Sequence, residues 1–153
     1  MEIVKYEPKY KADFIRLNSA WIEQYFDHLE ESDYEVFENL DSYIKKGAMV
    51  FLAIEDDIVL ATCMVFPLGE DIFEIGKLAT DNKYKGRGAG SAVFHSAKEY
   101  ALSHGAKKII LITNHILLPA IHIYEKEGFK KVKQDITDYA RGDVQYEYIH
   151  SFA

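Results

Sequence analysis

Lys83-Tyr84-Lys85-Gly86-Arg87-Gly88-Ala89-Gly90-Ser91 follows a strand-like run and opens a long helical one. Three glycines at alternate positions, with Lys85 and Arg87 interleaved, make a loop whose backbone amides can approach an anion without side-chain obstruction. The helix that follows aims its positive dipole end at the same point. The stretch reads as a phosphate cradle, and the chain as a cofactor-binding enzyme. Spacing narrows the ligand. The dinucleotide fingerprint needs G-x-G-x-x-G, but Gly90 comes two residues after Gly88 and the third position is Ser91. The nucleoside-triphosphate loop ends in Gly-Lys-Ser/Thr, which is absent.

A second motif lies downstream, Leu118-Pro119-Ala120-Ile121-His122-Ile123-Tyr124-Glu125-Lys126-Glu127-Gly128-Phe129. Pro119 suits the first turn of a helix, and Ala120, Ile121 and Tyr124 recur at the spacing of one helical face. Gly128 suits the helix end, and Phe129 starts a strand. The two motifs together resemble the hallmarks of the GNAT superfamily of N-acyltransferases. The first is similar to its acyl-coenzyme A pyrophosphate loop, often Y-R-G-x-G-x-G, with Lys85 where Arg is usual. The second is similar to the branch written L-x-P-A-I-x-x-Y-E-K-x-G-F. The resemblance covers residues 72–132.

At 153 residues the chain has the size of one domain, residues 1–153, with a sizeable core. Hydrophobic residues make up 48% and prolines number three, which excludes a disordered chain. No apolar run approaches membrane-spanning length, and Met1-Glu2-Ile3-Val4-Lys5-Tyr6 lacks a signal peptide's basic start and apolar stretch. The single cysteine, Cys63, excludes an internal disulfide and reads as packing. A soluble cytoplasmic protein is the expectation. Residues 1–76 hold 6 Lys+Arg against 17 Asp+Glu, and residues 77–153 hold 12 against 8. Such an acidic first half argues against nucleic acid and tilts the acceptor towards a cation. Lys77, Lys83, Lys85 and Arg87 suit a phosphate-rich ligand.

Periodicity supplies the element order. Residues 2–6 read as a strand. From Lys11 to Phe26 the apolar positions Phe14, Leu17, Trp21 and Tyr25 step by three or four, an amphipathic helix. Ser32, with Glu35 at the capping-box position, opens a second helix that Gly47 ends. Residues 49–54 and 58–66 are strands around the polar turn Glu55-Asp56-Asp57. Ile72–Thr80 is the next strand, then the glycine loop and a helix to about His104. Residues 107–113 contain Ile109-Ile110-Leu111-Ile112, a buried central strand. A helix over 119–127 and strands near 129–133 and 144–150 complete β-α-α-β-β-β-α-β-α-β-β. This α/β order predicts a mixed sheet with helices on both faces. The resemblance implies a mostly antiparallel, twisted sheet of about seven strands, with a V-shaped splay between the fourth and fifth.

The resemblance also implies acetyl-CoA as co-substrate, no metal, and transfer of its acetyl group to a primary amine by direct attack. Acyl transfer to an amine asks that the amine lose a proton, that the developing oxyanion find a donor, and that the departing thiolate gain a proton. Tyr124 matches the family's general acid, and its phenol stays protonated at neutral pH. Glu74 matches the catalytic glutamate of some members, a water chain being the other base open to the family. Strand alternation puts Glu74, Gly76 and Leu78 on one face. Leu78, Ala79 and Thr80 correspond to the bulged strand that binds the pantetheine arm. Lys85, Gly86, Arg87, Gly88, Ala89, Gly90 and Ser91 correspond to the pyrophosphate loop. Many members carry an Asn seven residues before the tyrosine; Leu117 stands there, and Asn114 is the substitute. His115 lies near the same point. The six histidines show no H-x-x-x-H. The acceptor is expected over the wedge, near Trp21, Tyr25 and Phe26 and the loops at residues 66–71 and 139–143. Dimers are common in the superfamily. A non-catalytic acyl-CoA sensor is the alternative from another class.

Overall fold

Acidic two-residue turns set the register of the central strands. In the computed structural model, which describes residues 1–133 and 141–150, Asp56 and Asp57 both take positive φ (51° and 63°), as do Glu70 and Asp71 (55° and 63°). These are the φ signs of a type I′ hairpin turn, whose twist matches that of its flanking strands. The first turn joins β2 (Met49–Glu55) to β3 (Ile58–Gly69), the second β3 to β4 (Ile72–Thr80). With β1 (Glu2–Lys5), β5 (Lys108–Thr113), β6 (Lys130–Val132) and β7 (Val144–Ile149), they form one seven-stranded sheet ordered β1-β2-β3-β4-β5-β7-β6. Neighbours run antiparallel except β4 and β5. The mixed sheet expected from the sequence is the one observed.

Each face of the sheet buries its own cluster. α1 (Lys11–Phe26) lays Phe14 and Leu17 against Val50, Leu52, Met64 and Ala79. On the other face α4 (Ala89–Ser103) packs Val93, Phe94 and Ala97 on Val65, Ile75 and Leu111, and α5 (Leu118–Lys126) adds Tyr124. The Lys98 ammonium donates to the Glu127 carbonyl at 2.8 Å, tying the end of α5 to α4.

One helix of the sequence reading is two. α2 (Glu31–Glu38) and α3 (Leu40–Lys45) break at Asn39, whose side-chain amide donates to the Glu35 carbonyl at 2.8 Å. Asn competes for backbone groups in this way, which makes it a helix terminator. The cap also moves. Glu30, not Ser32, is the N-cap, and Asp33, not Glu35, closes the capping box, accepting from the Glu30 N–H at 2.8 Å.

Two irregularities of β4 open the sheet and reset its faces. β4 pairs with β5 only at Ile72–Lys108, Phe73–Ile109 and Glu74–Ile110, after which β5 continues against β7. Beyond Glu74 no strand among the described residues pairs with that edge of β4, so the sheet opens as a V. On its other edge, pairing with β3 jumps from Met64–Gly76 to Thr62–Ala79. The extra residue is a β-bulge, with Lys77 at φ 53°. The bulge resets the alternation: Leu78 packs with Ile75 on the α4 face, and Ala79 joins Phe14 and Leu17 on the α1 face. Glu74 and Leu78 therefore do not share a face, correcting the plain period-2 reading.

Candidate active site

The V holds a cavity of about 440 Å³ that reaches from the aromatic end of α1, across the bulged half of β4, to α5. Of the predicted residues, Trp21, Tyr25, Phe26, Glu74, Leu78, Ala79, Thr80, Lys85, Asn114 and Tyr124 line it. The loop residues Gly86, Arg87, Gly88, Ala89, Gly90 and Ser91 are not part of that lining and continue from Lys85 into α4.

The glycine loop has the features of an anion cradle. Gly86 and Gly88 take φ of 83° and 78°, and the space beside each is open. Gly88 is the N-cap of α4, with no side-chain cap and no acidic residue in the first turn. The first amides of a helix have no partner within it, so an uncapped N-terminus presents free donors to an anion. A Cβ on Gly90 would lie 2.9 Å from the Thr80 Oγ1, so α4 can approach the end of β4 this closely only with glycine there. Arg87 turns aside, pairing with Glu55 at 2.7 Å and lying over the Tyr84 ring at 5.4 Å.

Tyr124 stands at the floor of the wedge, buried between Phe94 and Tyr146, with ring centroids at 5.1 and 6.0 Å. Burial pushes the phenol pKa up, the nearby Cys63 adds to the rise, and a hydrogen bond with Thr113 opposes it. The O–H is therefore intact across the physiological range. Cys63 is fully buried and its thiol is pushed well up by burial, so it is packing, as expected. Asn114 is committed to its own loop, donating to the Arg141 carbonyl at 2.9 Å and accepting from the Ile116 N–H at 3.1 Å. His115 is exposed and pairs with Asp143. Of the loop predicted at 139–143, residues 139 and 140 lie outside the described residues.

The same cavity carries a charged cluster that motif reading missed. Asp33 on α2 is fully buried and accepts from Arg141 Nη1 and Nη2, both at 2.6 Å, and from Lys77 Nζ at 2.5 Å. Burial alone would raise its pKa, but the hydrogen bonds from Arg141, Lys77 and the Glu30 N–H outweigh that and hold it at about 2. Burial lowers the Lys77 pKa, and Asp33 and Glu74 oppose that effect. Lys77 and Arg141 line the cavity, and the Arg141 guanidinium lies 6.0 Å from the rings of both Trp21 and Phe26. Lys77, expected to serve a phosphate ligand, instead belongs to this cluster. Its position as the one cation within Ile72–Thr80 was the available signal; nothing local marks Asp33 or Arg141.

Known proteins share this architecture. A GNAT-family acetyltransferase from Staphylococcus aureus Mu50 superposes with TM-score 0.86 at 19% identity, over 97% of this chain and 98% of that one. YncA of Salmonella typhimurium, solved with its cofactor acetyl-CoA, superposes with TM-score 0.80 at 12% identity, over 100% of this chain and 96% of that one. In sequence, human N-acetyltransferase 8B is 28% identical over 61% of this chain and 44% of its own length. The chain spans less than half the length of the curated relatives it matches. The match to the Acetyltransferase (GNAT) family runs over residues 14–129, from α1 through the glycine loop to the end of α5. By that match, and by the splayed sheet it encloses, the chain belongs to the GNAT acetyltransferase family.

Proposed function

We propose that this chain is an N-acetyltransferase that moves an acetyl group from acetyl-CoA to a primary amine held in the cavity. The observation that carries the reading is the coincidence of three features on one V. β4 and β5 part after Glu74, an uncapped glycine-led helix starts at one end, and a buried protonated Tyr124 lies on the floor. The residues suit the donor, since the cradle offers free amides and open space beside Gly86 and Gly88. Lys85 and the loop from Gly86 to Ser91 would hold the diphosphate, and the bulged segment Leu78-Ala79-Thr80 the arm. When bound, acetyl-CoA supplies an activated acetyl group, whose C–S bond breaks as a C–N bond forms to the amine.

Glu74 lines the cavity from the strand edge where the V opens. It takes the proton that the attacking amine must lose. Main-chain N–H groups of the bulge stabilise the oxyanion, because a bulge turns donors out of the ladder. Tyr124 presents its O–H to the leaving sulfur. Burial keeps the phenol protonated until charge builds on the sulfur, which then draws the proton along this hydrogen bond. We infer a cytoplasmic location as part of the same reading.

Incubating the protein with acetyl-CoA and a panel of amines, amino acids and peptides, while following free thiol, tests the proposal. Amine-dependent thiol release is the expected result. Tight coenzyme binding with no release on a broad panel would instead mark a coenzyme-sensing module.

A further inference from the structure

The charges around the cavity are arranged, and not merely present. Asp33 accepts four hydrogen bonds, from Arg141 Nη1 and Nη2, Lys77 Nζ and the Glu30 N–H. A carboxylate has about four lone-pair sites, so Asp33 has none left for an ammonium group. It serves to hold two cations at the cavity wall, with side chains 16% (Lys77) and 18% (Arg141) exposed. Asp33 engages one of the three Lys77 donors and two of the five on Arg141. The Trp21 and Phe26 ring centroids each lie 6.0 Å from the guanidinium carbon, within the outer range of cation-π attraction. Among the described residues, Glu74 is the acidic side chain of the lining, three residues along β4 from Lys77. One part of the acceptor space thus favours an ammonium and another an anion, and Trp21, Phe26 and Phe66 line the same space.

We propose that the acceptor is an apolar or aromatic amino acid, its carboxylate held by Lys77 and Arg141, its amine directed to Glu74, and its side chain against Trp21, Phe26 and Phe66. The inference rests on the acetyltransferase reading and names its substrate class. It reverses the tilt towards a cation drawn from the acidic first half of the chain. A polyamine would set a second ammonium against two fixed cations, a like-charge contact that acts as rejection. An amine without a carboxylate leaves Lys77 and Arg141 without an anionic partner from the ligand, which lowers binding more than the lost contact alone.

The test uses matched pairs differing in the carboxylate: phenylalanine and phenethylamine, tryptophan and tryptamine, leucine and isoamylamine, with spermidine as polycation. Calorimetry on the coenzyme A-loaded protein measures binding, and thiol release from acetyl-CoA measures turnover. The amino acid of each pair should bind, and its kcat/KM should exceed its partner's by about 100-fold, the loss expected for two hydrogen bonds to a charged group whose donors keep Asp33. Lys77→Met should cut that preference about tenfold, leaving Asp33 paired with Arg141. Arg141→Lys, which keeps the charge and loses the fork, should raise KM for the amino acid more than it lowers kcat. Equal or better binding and turnover of the amines or spermidine overturns the inference while leaving the acetyltransferase reading intact. If no amine yields thiol, that reading fails, and calorimetry alone decides: selective binding of the amino acids upholds the carboxylate site, and its absence overturns it.

Discussion

Arg141 and Asp33, 108 positions apart, meet through two hydrogen bonds of 2.6 Å. Asp33 closes the capping box of α2 with the same carboxylate. One buried acid therefore sets the helix start, anchors the chain as it enters β7, and receives Lys77 from the bulge of β4. Three separate elements are pinned to one wall of the cavity.

Removing that acid should be costly. Asp33→Ala leaves Lys77 and Arg141 without their counter-charge and opens the cap, and breaking a buried pair in this way costs about 3–5 kcal/mol. Urea denaturation should show a lower midpoint with an unchanged slope. A variant as stable as the parent would show that the cluster does not hold the fold.

The same carboxylate predicts an acid limit to stability. Its folded pKa, about 2, lies below the ordinary carboxylate value of about 3.9. Its contribution is thus fully present above about pH 4 and is lost as pH falls from about 4 through about 2. Thermal unfolding followed across this window should show a fall in Tm that is smaller in Asp33→Asn. Parallel curves for the two proteins would exclude Asp33 as the titrating group.

Tyr124→Phe removes the O–H and keeps the ring that packs on Phe94. Turnover should fall by about 10²-fold or more, the usual range for a positioned acid, with coenzyme affinity nearly unchanged. An unaltered kcat would remove Tyr124 from the mechanism.

Gly90→Ala should weaken both folding and coenzyme binding, because the added Cβ meets the Thr80 Oγ1 at 2.9 Å. Combining it with Thr80→Ala removes the obstructing hydroxyl and should restore part of the loss. No rescue in the double variant, read by coenzyme titration and Tm, would mean that the close approach is not the cause. Gly88→Glu, by contrast, puts a carboxylate and a strained φ into the cradle and should abolish coenzyme binding outright.

At the β2–β3 turn, Asp57→Gly should stabilise the protein by about 0.5 kcal/mol. Glycine relieves the strain of a non-glycine residue at positive φ, and its greater freedom in the unfolded chain returns part of the gain. The denaturation midpoint checks it.

Much of this protein was legible in its residues. The stepped apolar positions of residues 11–26 gave α1 its observed ends, Ile72–Thr80 was found to the residue, and the run Ile109-Ile110-Leu111-Ile112 gave the central strand. These succeed because burial of one face imposes a period on the sequence. The glycine loop was legible because a backbone at positive φ favours glycine, whereas Tyr124 stood out only through the resemblance of its motif. The split between α2 and α3 was not, since Asn39 acts through its amide and interrupts no apolar pattern. Nor was the face of Leu78, because a bulge adds a residue without leaving a mark in composition.

The sequence by itself determined the sheet, the layers and the glycine-rich turn into α4, all of which follow from local periodicity and loop chemistry. Only the tertiary structure decided the charged cluster at the cavity wall. Lys77, Asp33 and Arg141 come from β4, α2 and the approach to β7. A buried charge must find its partner wherever the fold delivers one, at any separation along the chain, so such a cluster has no spacing to read.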